Sequence, residues 1–531
     1  MIQALGVSAR IPVSRQLRRH ARSVGLAAVL LVVWELLAVT VFSGRFVVPT
    51  PTSVAGTAWA NHFFYTDLVV TLNISWKGWL IGNGAALLLA AVSLIVPATE
   101  SALITLGVAT YCVPTIAVGP LLVVVYGPTG AKIAMSALSV LFVTLVAAVT
   151  GLRAAPRATL EMVTVMGGGR WKQLVKVRAR ASLPMLASGM SISAPAAILG
   201  TMIGDYLGGA KGLGVIMLQA QQQLAVSRTW SIAAVSTVVC GLAFAATMAI
   251  ARRVSAGVEP ALDSAIHPTP LRRGLAGVAI GAARVVAVVL FGLVMWEILV
   301  RSSGLSSYFV KSPLDVWQYC VSGPGSATHR SELIHGLIRT ASDAGLGWLA
   351  GTVAAVLAAG ILIVAPTLAA AVMPFVIVMR SVPLIAMTPL IGLVFGRGLL
   401  GVTLIAAMVT FVPSLVTIVE GLRSAPAAAT DLIECLGGRR LTTLVKVRMP
   451  FAMPALFAAA KISMPGAILG SVLAEWLITG HGIGHAMAYD VISSNFSNLW
   501  ASIAVILVMS LVLYFFVGSI ETGIRRRVHA A

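Results

Sequence analysis

Apolar runs of about 20 residues recur along this chain, and that is the length at which an α-helix crosses the hydrocarbon core of a bilayer. Helices suit that environment because they satisfy their own backbone hydrogen bonds, and runs with strict strand-like alternation are missing from the sequence. Hydrophobic residues make up 58% and charged residues 10% of the chain, whereas about a quarter of the residues of a soluble domain are charged. The sequence therefore predicts an all-α integral membrane protein.

The runs predict about twelve transmembrane helices, six in each half of the chain. In the first half they lie near 24–43, 78–96, 102–126, 133–149, 183–203 and 230–251; in the second half they lie near 286–300, 347–364, 368–395, 400–419, 454–473 and 500–517. Because six is an even number, both halves enter the membrane in the same orientation. We therefore expect a parallel repeat with a pathway between its halves.

The repeat is also visible in the residues themselves. A Trp-Glu pair at 34–35 recurs at 296–297, an offset of 262 (296 − 34). The five residues Leu-Val-Lys-Val-Arg at 174–178 recur at 444–448, an offset of 270 (444 − 174). Between these two pairs, Thr71 recurs as Thr340 at an offset of 269 (340 − 71). Seven extra residues (269 − 262) of the second half therefore lie in its first external loop.

The net charge of +20 is carried between the apolar runs. The basic clusters are Arg10, Arg15, Arg18, Arg19 and Arg22 before the first span, Arg252, Arg253, Arg272 and Arg273 in the middle, and Arg525, Arg526 and Arg527 at the end. The positive-inside rule predicts that all three clusters, and with them both termini, are cytoplasmic. No basic patch is interleaved with aromatic residues, so we expect no nucleic-acid partner.

A long basic loop follows the fourth span of each half. Each loop has an acidic residue six positions before a glycine, Glu161 before Gly167 and Asp431 before Gly437. Glycine permits a sharp turn at that point. After the first glycine, apolar residues starting at Trp171 recur at helical spacing on one face, and the second loop repeats this pattern. Such an amphipathic element can dock on a partner.

In these loops the chain resembles the permeases of binding-protein-dependent ABC importers, whose loop carries the pattern E-A-A, three residues, G, nine residues, then I-x-L-P. The second half has Asp431, Gly437 and Pro450 at that spacing. The first half matches as far as its glycine, but Arg180 stands in place of the proline, which leaves the path of the chain out of this loop open.

The resemblance implies several partners. Each loop would be a coupling helix that fits a groove on one of two cytoplasmic ATPase subunits, and an extracytoplasmic binding protein would deliver the solute. ATP and Mg²⁺ would be used by the ATPase, since this chain has no G-x-x-x-x-G-K-[ST] pattern and its Gly127–Lys132 segment is too short to be one. The direction of transport, import across a bacterial plasma (inner) membrane, is likewise implied by the resemblance.

With that interpretation the chain divides into six segments. They are a basic segment with the first span and an external loop (1–66), a first permease core (67–251), a cytoplasmic linker (252–285), the seventh span with an external loop (286–335), a second permease core (336–520) and a basic cytoplasmic tail (521–531).

Glycine-rich segments at 204–214 and 474–484 resemble the stretch after the fifth span in the nitrate, sulfonate and taurine permease group. That group also includes importers of thiamine-precursor pyrimidines, so the substrate class stays open. A dinucleotide-binding loop is excluded because the glycines follow a membrane helix instead of a strand. A flexible external loop is the plain interpretation, and gating of the outer mouth by Asp205 and Glu475 is the functional one.

Arg380 is the ionisable residue whose position inside a predicted span is most unusual, and Tyr111 occupies the equivalent place in the first half. An arginine there could attract an anionic substrate where Pro383 loosens the helix. The structural alternative is that Arg380 pairs with a backbone carbonyl or extends towards the membrane surface. For Glu35 and Glu297, pairing that anchors the first span of each half is the favoured interpretation.

The main alternative function is a secondary active transporter, which can also have two six-span halves. The paired glycine loops and the scarcity of membrane carboxylates for proton coupling argue against it. A membrane enzyme is disfavoured because the sequence has no nucleophile with a base and no cluster of catalytic side chains. We expect no catalytic residue, no bound cofactor and no metal site in this chain.

Overall fold

Helices are the regular secondary structure throughout the part of the chain that the computed structural model describes. The described residues are 25, 28–29, 31–41, 48–60, 64–95, 99–255, 275–302, 304–379 and 383–528. Among them, eight helices are long and apolar enough to cross a membrane, and shorter apolar helices accompany these eight. The predicted all-α membrane fold is confirmed.

The helices follow the same order in both halves. The first half contains α1 (Leu31–Thr40), α2 (Pro51–Ala60), α3 (Phe64–Ile95), α4 (Glu100–Cys112), α5 (Thr115–Arg153), α6 (Arg157–Val165), α7 (Arg170–Gln173), α8 (Ala179–Gly208), α9 (Leu213–Gln222) and α10 (Val226–Val254). The second half contains α11 (Leu275–Ser302), α12 (Pro313–Trp317), α13 (Ser326–Val364), α14 (Pro366–Met379), α15 (Leu384–Phe395), α16 (Leu399–Arg423), α17 (Ala427–Cys435), α18 (Arg440–Thr443), α19 (Met449–Leu477), α20 (Ile483–Ile492) and α21 (Phe496–Val528).

The repeated Trp-Glu pair anchors the first span of each half. Trp34 packs on Trp230 with ring centroids 5.4 Å apart, and Trp296 stacks on Trp500 at 5.5 Å. In the first half the carboxylate of Glu35 accepts hydrogen bonds from the backbone and the hydroxyl of the residue at position 52, at 3.2 and 2.8 Å. The corresponding Glu297 pairs with the arginine one turn further along its own helix at 2.7 Å. Structural pairing is therefore present at both glutamates, but of the two only Glu35 bonds to another helix.

The third predicted span of each half is broken, whereas the sequence suggested one continuous helix. In the first half α4 ends at Cys112 and α5 begins at Thr115. Pro114 has no N–H group to donate, and Val113 before it is extended (φ −72°, ψ 125°), as the steric bulk of a following proline requires. The second half has the equivalent proline at the start of α15. After each break the chain forms a short helical segment, which a glycine with positive φ, Gly127 in the first half, separates from the fourth span.

These segments after the break interlock the two halves. Ile385, Met387 and Leu390 on α15 belong to an apolar core whose other buried members come from the first half. Conversely, Ala117 and Leu121 on α5 lie in a core formed mainly by α19, α20 and α21. The two halves therefore share their cores, although they are far apart in sequence.

Glycines allow the long helices to approach closely. On α13, a Cβ added to Gly351 would lie 2.6 Å from the carbonyl oxygen of Ala407 and would collide with the hydroxyl of Thr410 on α16. On the same helix, a Cβ added to Gly345 would meet no atom within 4 Å. Backbone contact at Gly351 therefore sets the distance between α13 and α16.

We predict that Gly351→Val lowers the free energy of unfolding by about 1 to 3 kcal/mol more than Gly345→Val, because only the first change overpacks a helix contact. Both variants carry the same change of residue type in the same helix, which cancels the effect of helix propensity. Thermal unfolding of the two variants in detergent measures the difference. Equal stability of the two variants would contradict the close packing.

Candidate functional site

The two loops after the fourth span each form a short helix that ends in a tight glycine turn. In the first, α6 ends where Gly167 adopts a φ of +72° and its N–H donates to the carbonyl of Thr164 at 2.9 Å. The next N–H, of Gly168, reaches back to Val163 at 2.8 Å. The second loop repeats this turn after α17, where Gly437 has a φ of +77°. The predicted turns are present at both glycines.

The chain leaves both loops along the same path. Each turn leads into α7 or α18, then into one wide π-helical turn, then into the fifth span, α8 or α19. The wide turn closes when the N–H of Ala179 donates to Leu174, or that of Met449 to Leu444. The donors of these bonds lie one residue before Arg180 in the first half and one residue before Pro450 in the second half. The missing proline therefore does not change the exit from the first loop.

A repeated arginine fastens each loop to the preceding helix. Arg178 donates to the carbonyl of Leu152 at 3.3 Å, and Arg448 donates to the carbonyl of Leu422 at 3.2 Å. Both carbonyls belong to the last turn of the fourth span, where helix carbonyls lack partners and favour a cation. Sequence analysis identified these arginines only as basic loop residues. Their recurrence at the same place in both halves was the available signal.

The two loops expose apolar side chains at the same positions. Met166 and Leu436, which correspond in the repeat, are each 76% exposed. Trp171 after the first turn is 68% exposed, and the acidic residues Glu161 and Asp431 are exposed as well. Further exposed apolar side chains in the loops are Met162, Val165, Val175, Leu432, Leu441 and Val445, and Pro450 is exposed at the start of α19. Clustered apolar exposure of this kind marks an interaction surface.

At the opposite end of the fifth span, a buried carboxylate holds the glycine-rich loop of the first half. Asp205 is 1% exposed and forms an ion pair with Lys132 at 2.7 Å. Its carboxylate also accepts from the hydroxyl of Thr71 at 3.0 Å and from the N–H of Gly214 at 3.4 Å. A Cβ on Gly212 (φ +133°) would collide with this carboxylate, so the loop passes directly over it.

Glu475 holds the loop of the second half in a similar way. It is fully buried, and its Oε2 accepts from the hydroxyl of Thr340 and the N–H of Gly484, both at 2.8 Å. The hydroxyl of Thr340 also accepts from the N–H of Ile483 at 3.0 Å. As in the first half, a Cβ on Gly482 (φ +89°) would collide with the carboxylate. Both loops are therefore turns that a buried carboxylate holds in place, whereas the sequence favoured flexible external loops.

The lysine is the main difference between these two carboxylate sites. Position 402, which corresponds to Lys132, is a fully buried valine. Lys132 passes so close to Gly204 and Gly209 that added Cβ atoms would lie 2.9 Å from its Cα and 2.6 Å from its Nζ. In the second half those positions are Ala474 and Thr479. The space and the charge of the lysine are thus both absent from the second half.

Thr479 replaces one function of that lysine. Nζ of Lys132 donates to the carbonyl of Lys211 at 2.8 Å, and the hydroxyl of Thr479 donates to the equivalent carbonyl of His481 at 2.9 Å. The hydrogen bond is preserved, whereas the positive charge is lost. Sequence analysis missed Lys132 as a site residue, although an ionisable residue beside a membrane span was a usable signal.

Tyr111, one of the predicted pathway residues, lies where the two halves meet. It stacks on Phe142 with ring centroids 4.7 Å apart, and its hydroxyl faces α19, where a Cβ on Gly466 would come within 3.4 Å. Arg380, its counterpart, lies outside the described residues, directly after α14. A role for either residue in the pathway stays a prediction.

Comparison with known families agrees with the repeat. The family model for the binding-protein-dependent transport system inner membrane component matches twice, over residues 82–263 and 347–530. The chain belongs to this family. The two matches are two permease units fused in one polypeptide, so the chain is a permease of an ABC importer. This membership decides against the secondary-transporter alternative.

Three relatives each match less than half of this chain. A probable ABC transporter permease protein of Haemophilus influenzae is 26% identical over 223 residues, 42% of this chain and 89% of the relative. The riboflavin transport system permease protein of Chloroflexus aurantiacus is 30% identical over 153 residues, 28% of this chain and 56% of the relative. The formylaminopyrimidine transport permease protein of Halalkalibacterium halodurans is 24% identical over 195 residues, 36% and 75%. Each match thus covers less than half of the fused permease but more than half of the relative.

We predict that Lys132→Met lowers the free energy of unfolding of the permease by about 3 to 5 kcal/mol, because it leaves the Asp205 carboxylate buried without its counter-charge. Adding Asp205→Asn to Lys132→Met should restore part of that loss, since no buried charge then remains. Thermal unfolding of the single and double variants in detergent measures the coupling. Simple additivity of the two changes would show that the pair is not coupled.

Proposed function

We propose that the loops around Glu161 and Asp431 are the docking sites of two separate ATPase subunits, which power transport through this permease. The observation that carries the proposal is the pair of matching exposed apolar surfaces, with Met166 and Leu436 at equal exposure. Two equivalent surfaces suit two copies of one partner. In this scheme those subunits bind ATP and Mg²⁺, and this chain binds no cofactor of its own.

The fifth spans connect each docking surface to a carboxylate site. Helix α8 has 30 residues and α19 has 29, so each extends roughly 45 Å at 1.5 Å per residue. One end of each helix continues from the loop, and the other end carries Asp205 or Glu475. Movement of a loop on ATP binding would therefore reach the external end through one helix. We propose that this rocks the halves between inward-open and outward-open states.

The substrate we propose is a small solute, delivered by an extracytoplasmic binding protein. The family description names binding-protein-dependent transport, and the relatives' names include riboflavin, formylaminopyrimidine and aliphatic sulfonates. Heteroaromatic solutes and sulfonates, with nitrate and taurine beside them, are therefore the first candidates. The basic clusters at both ends of the chain support cytoplasmic termini in a bacterial plasma membrane.

We predict that Met166→Asp combined with Leu436→Asp weakens binding of the ATPase subunits about 30-fold or more, because each change places a charge at the centre of a proposed apolar contact. The measurement is ATPase binding to the full permease in lipid nanodiscs, together with stimulation of ATP hydrolysis. Leu224→Asp is the matched control. It changes a leucine between α9 and α10 that is 75% exposed, and its positive φ of 53° suits aspartate.

Two results would overturn this assignment. One is unchanged ATPase binding by the double variant, and the other is an equal loss with Leu224→Asp. Either result would mean that the loop surfaces do not form the contact.

For the pathway, we predict that Arg380→Gln raises the KM for uptake of ethanesulfonate about 10-fold to 100-fold, the equivalent of one hydrogen bond to a charged group. Uptake of formylaminopyrimidine, which carries no negative charge, should change little. Arg397→Gln alters an exposed arginine beyond the same broken span and serves as the control. Equal effects on both solutes would argue against an anion-attracting role for Arg380.

A further inference from the structure

The two carboxylate sites at the external ends of the fifth spans differ in charge balance. Asp205 is neutralised by the Lys132 ammonium group at 2.7 Å. Glu475 is equally buried, but valine occupies the position of the lysine, and Oε1 of Glu475 has no hydrogen-bond partner among the described residues. An ionised carboxylate buried without a counter-charge is strongly unfavourable.

The charged groups around Glu475 do not supply the missing cation. On α13, Asp343 and Arg339 act on it electrostatically with opposite signs. Arg339 pairs with Asp343 at 3.5 Å, and this arginine side chain is 47% exposed while the aspartate is 1% exposed. The arginine charge is thus matched by Asp343. His481, on the loop that Glu475 holds, acts on Asp343. From α20 the contact is the N–H of Gly484, and on α16 the position that corresponds to Lys132 is the buried, uncharged Val402.

We propose that Glu475 binds a proton when the second glycine-rich loop is closed, and that this proton replaces the ammonium charge of Lys132. In the neutral acid, Oε2 keeps accepting from Thr340 and Gly484, and the unpartnered Oε1 carries the hydrogen. Release of the proton to external water leaves an uncompensated carboxylate, which opens residues 478–482 and loosens α20. The external side of the second half is therefore sensitive to pH, and the first half is not.

Hydrogen–deuterium exchange of the full permease in lipid nanodiscs tests this proposal. The exchange rate of residues 478–492 is divided by that of residues 208–222, the equivalent segment of the first half. Both segments share the intrinsic pH dependence of exchange, so the ratio reports the difference between the two sites. The experiment needs no ATPase subunit, so its outcome is independent of the docking proposal.

The expected ratio follows from proton linkage. From about pH 5, an exposed glutamate is ionised, so opening the loop releases the proton. The ratio should rise by up to about tenfold per pH unit while the closed loop holds the proton, and should level off once Glu475 ionises in the closed loop. Buried glutamates in proteins ionise as high as about pH 8 to 9, which sets the upper end of the range to be measured.

Three variants isolate Glu475. Glu475→Gln mimics the protonated acid and should keep the second loop protected across the whole range. Val402→Lys, combined with Ala474→Gly and Thr479→Gly, grafts the lysine and its space from the first half and should abolish the pH dependence. His481→Asn removes the imidazole that acts on Asp343 and should leave the pH dependence intact.

A ratio that is independent of pH in the natural sequence would overturn the proposal. So would persistent pH dependence in Glu475→Gln, a variant that remains informative even if the grafted triple variant fails to fold. Loss of the pH dependence in His481→Asn would assign the effect to the histidine. Protection that returns when sodium is added at constant pH would assign the site to a metal cation in place of a proton.

Discussion

The requirement that every backbone polar group be satisfied inside an apolar solvent governs this permease. Helices meet that requirement within each span. The interruptions at Pro114 and Pro383 are tolerated because the segments that follow them are covered by protein, in cores shared between the two halves. The same breaks that interrupt the third spans therefore join the halves, and they bring Tyr111 of the first half against α19 of the second.

Fusion of two permease units has allowed their equivalent sites to diverge. The two glycine-rich loops keep the same geometry, with a carboxylate, a threonine hydroxyl and a glycine N–H in the same places. The charge has diverged, because Lys132 has no counterpart in the second half. The three positions that differ together, at 402, 474 and 479, account for both the lost charge and the retained hydrogen bond. A carboxylate without a lysine then needs another positive charge, for which a proton is the smallest source.

The loops at the other end have diverged less. Both retain the glycine turn, the wide helical turn and the arginine that fastens the fifth span to the fourth. Even the exchange of proline for Arg180 leaves the path of the chain unchanged, since the hydrogen bond that closes the wide turn precedes it. Equal geometry at the two loops is what the proposed pair of identical ATPase partners requires.

The sequence alone determined the membrane class, the position of most helices, the duplication and the turns at Gly167 and Gly437. These features depend on hydrophobic length, on recurrence and on the local conformation of glycine, all of which are read along the chain. Only the tertiary structure showed that Asp205 and Glu475 are buried and hold the glycine-rich loops in place. It also showed that the segment after each broken third span packs in a core of the other half, and that Lys132 neutralises the carboxylate of the first half alone. Those facts arise from contacts between residues far apart in the sequence. Thr71 bonds to Asp205 across 134 positions and Thr340 to Glu475 across 135, and the cores shared between the halves join residues that are farther apart still. Such contacts depend on how the helices pack, and no local pattern records that packing.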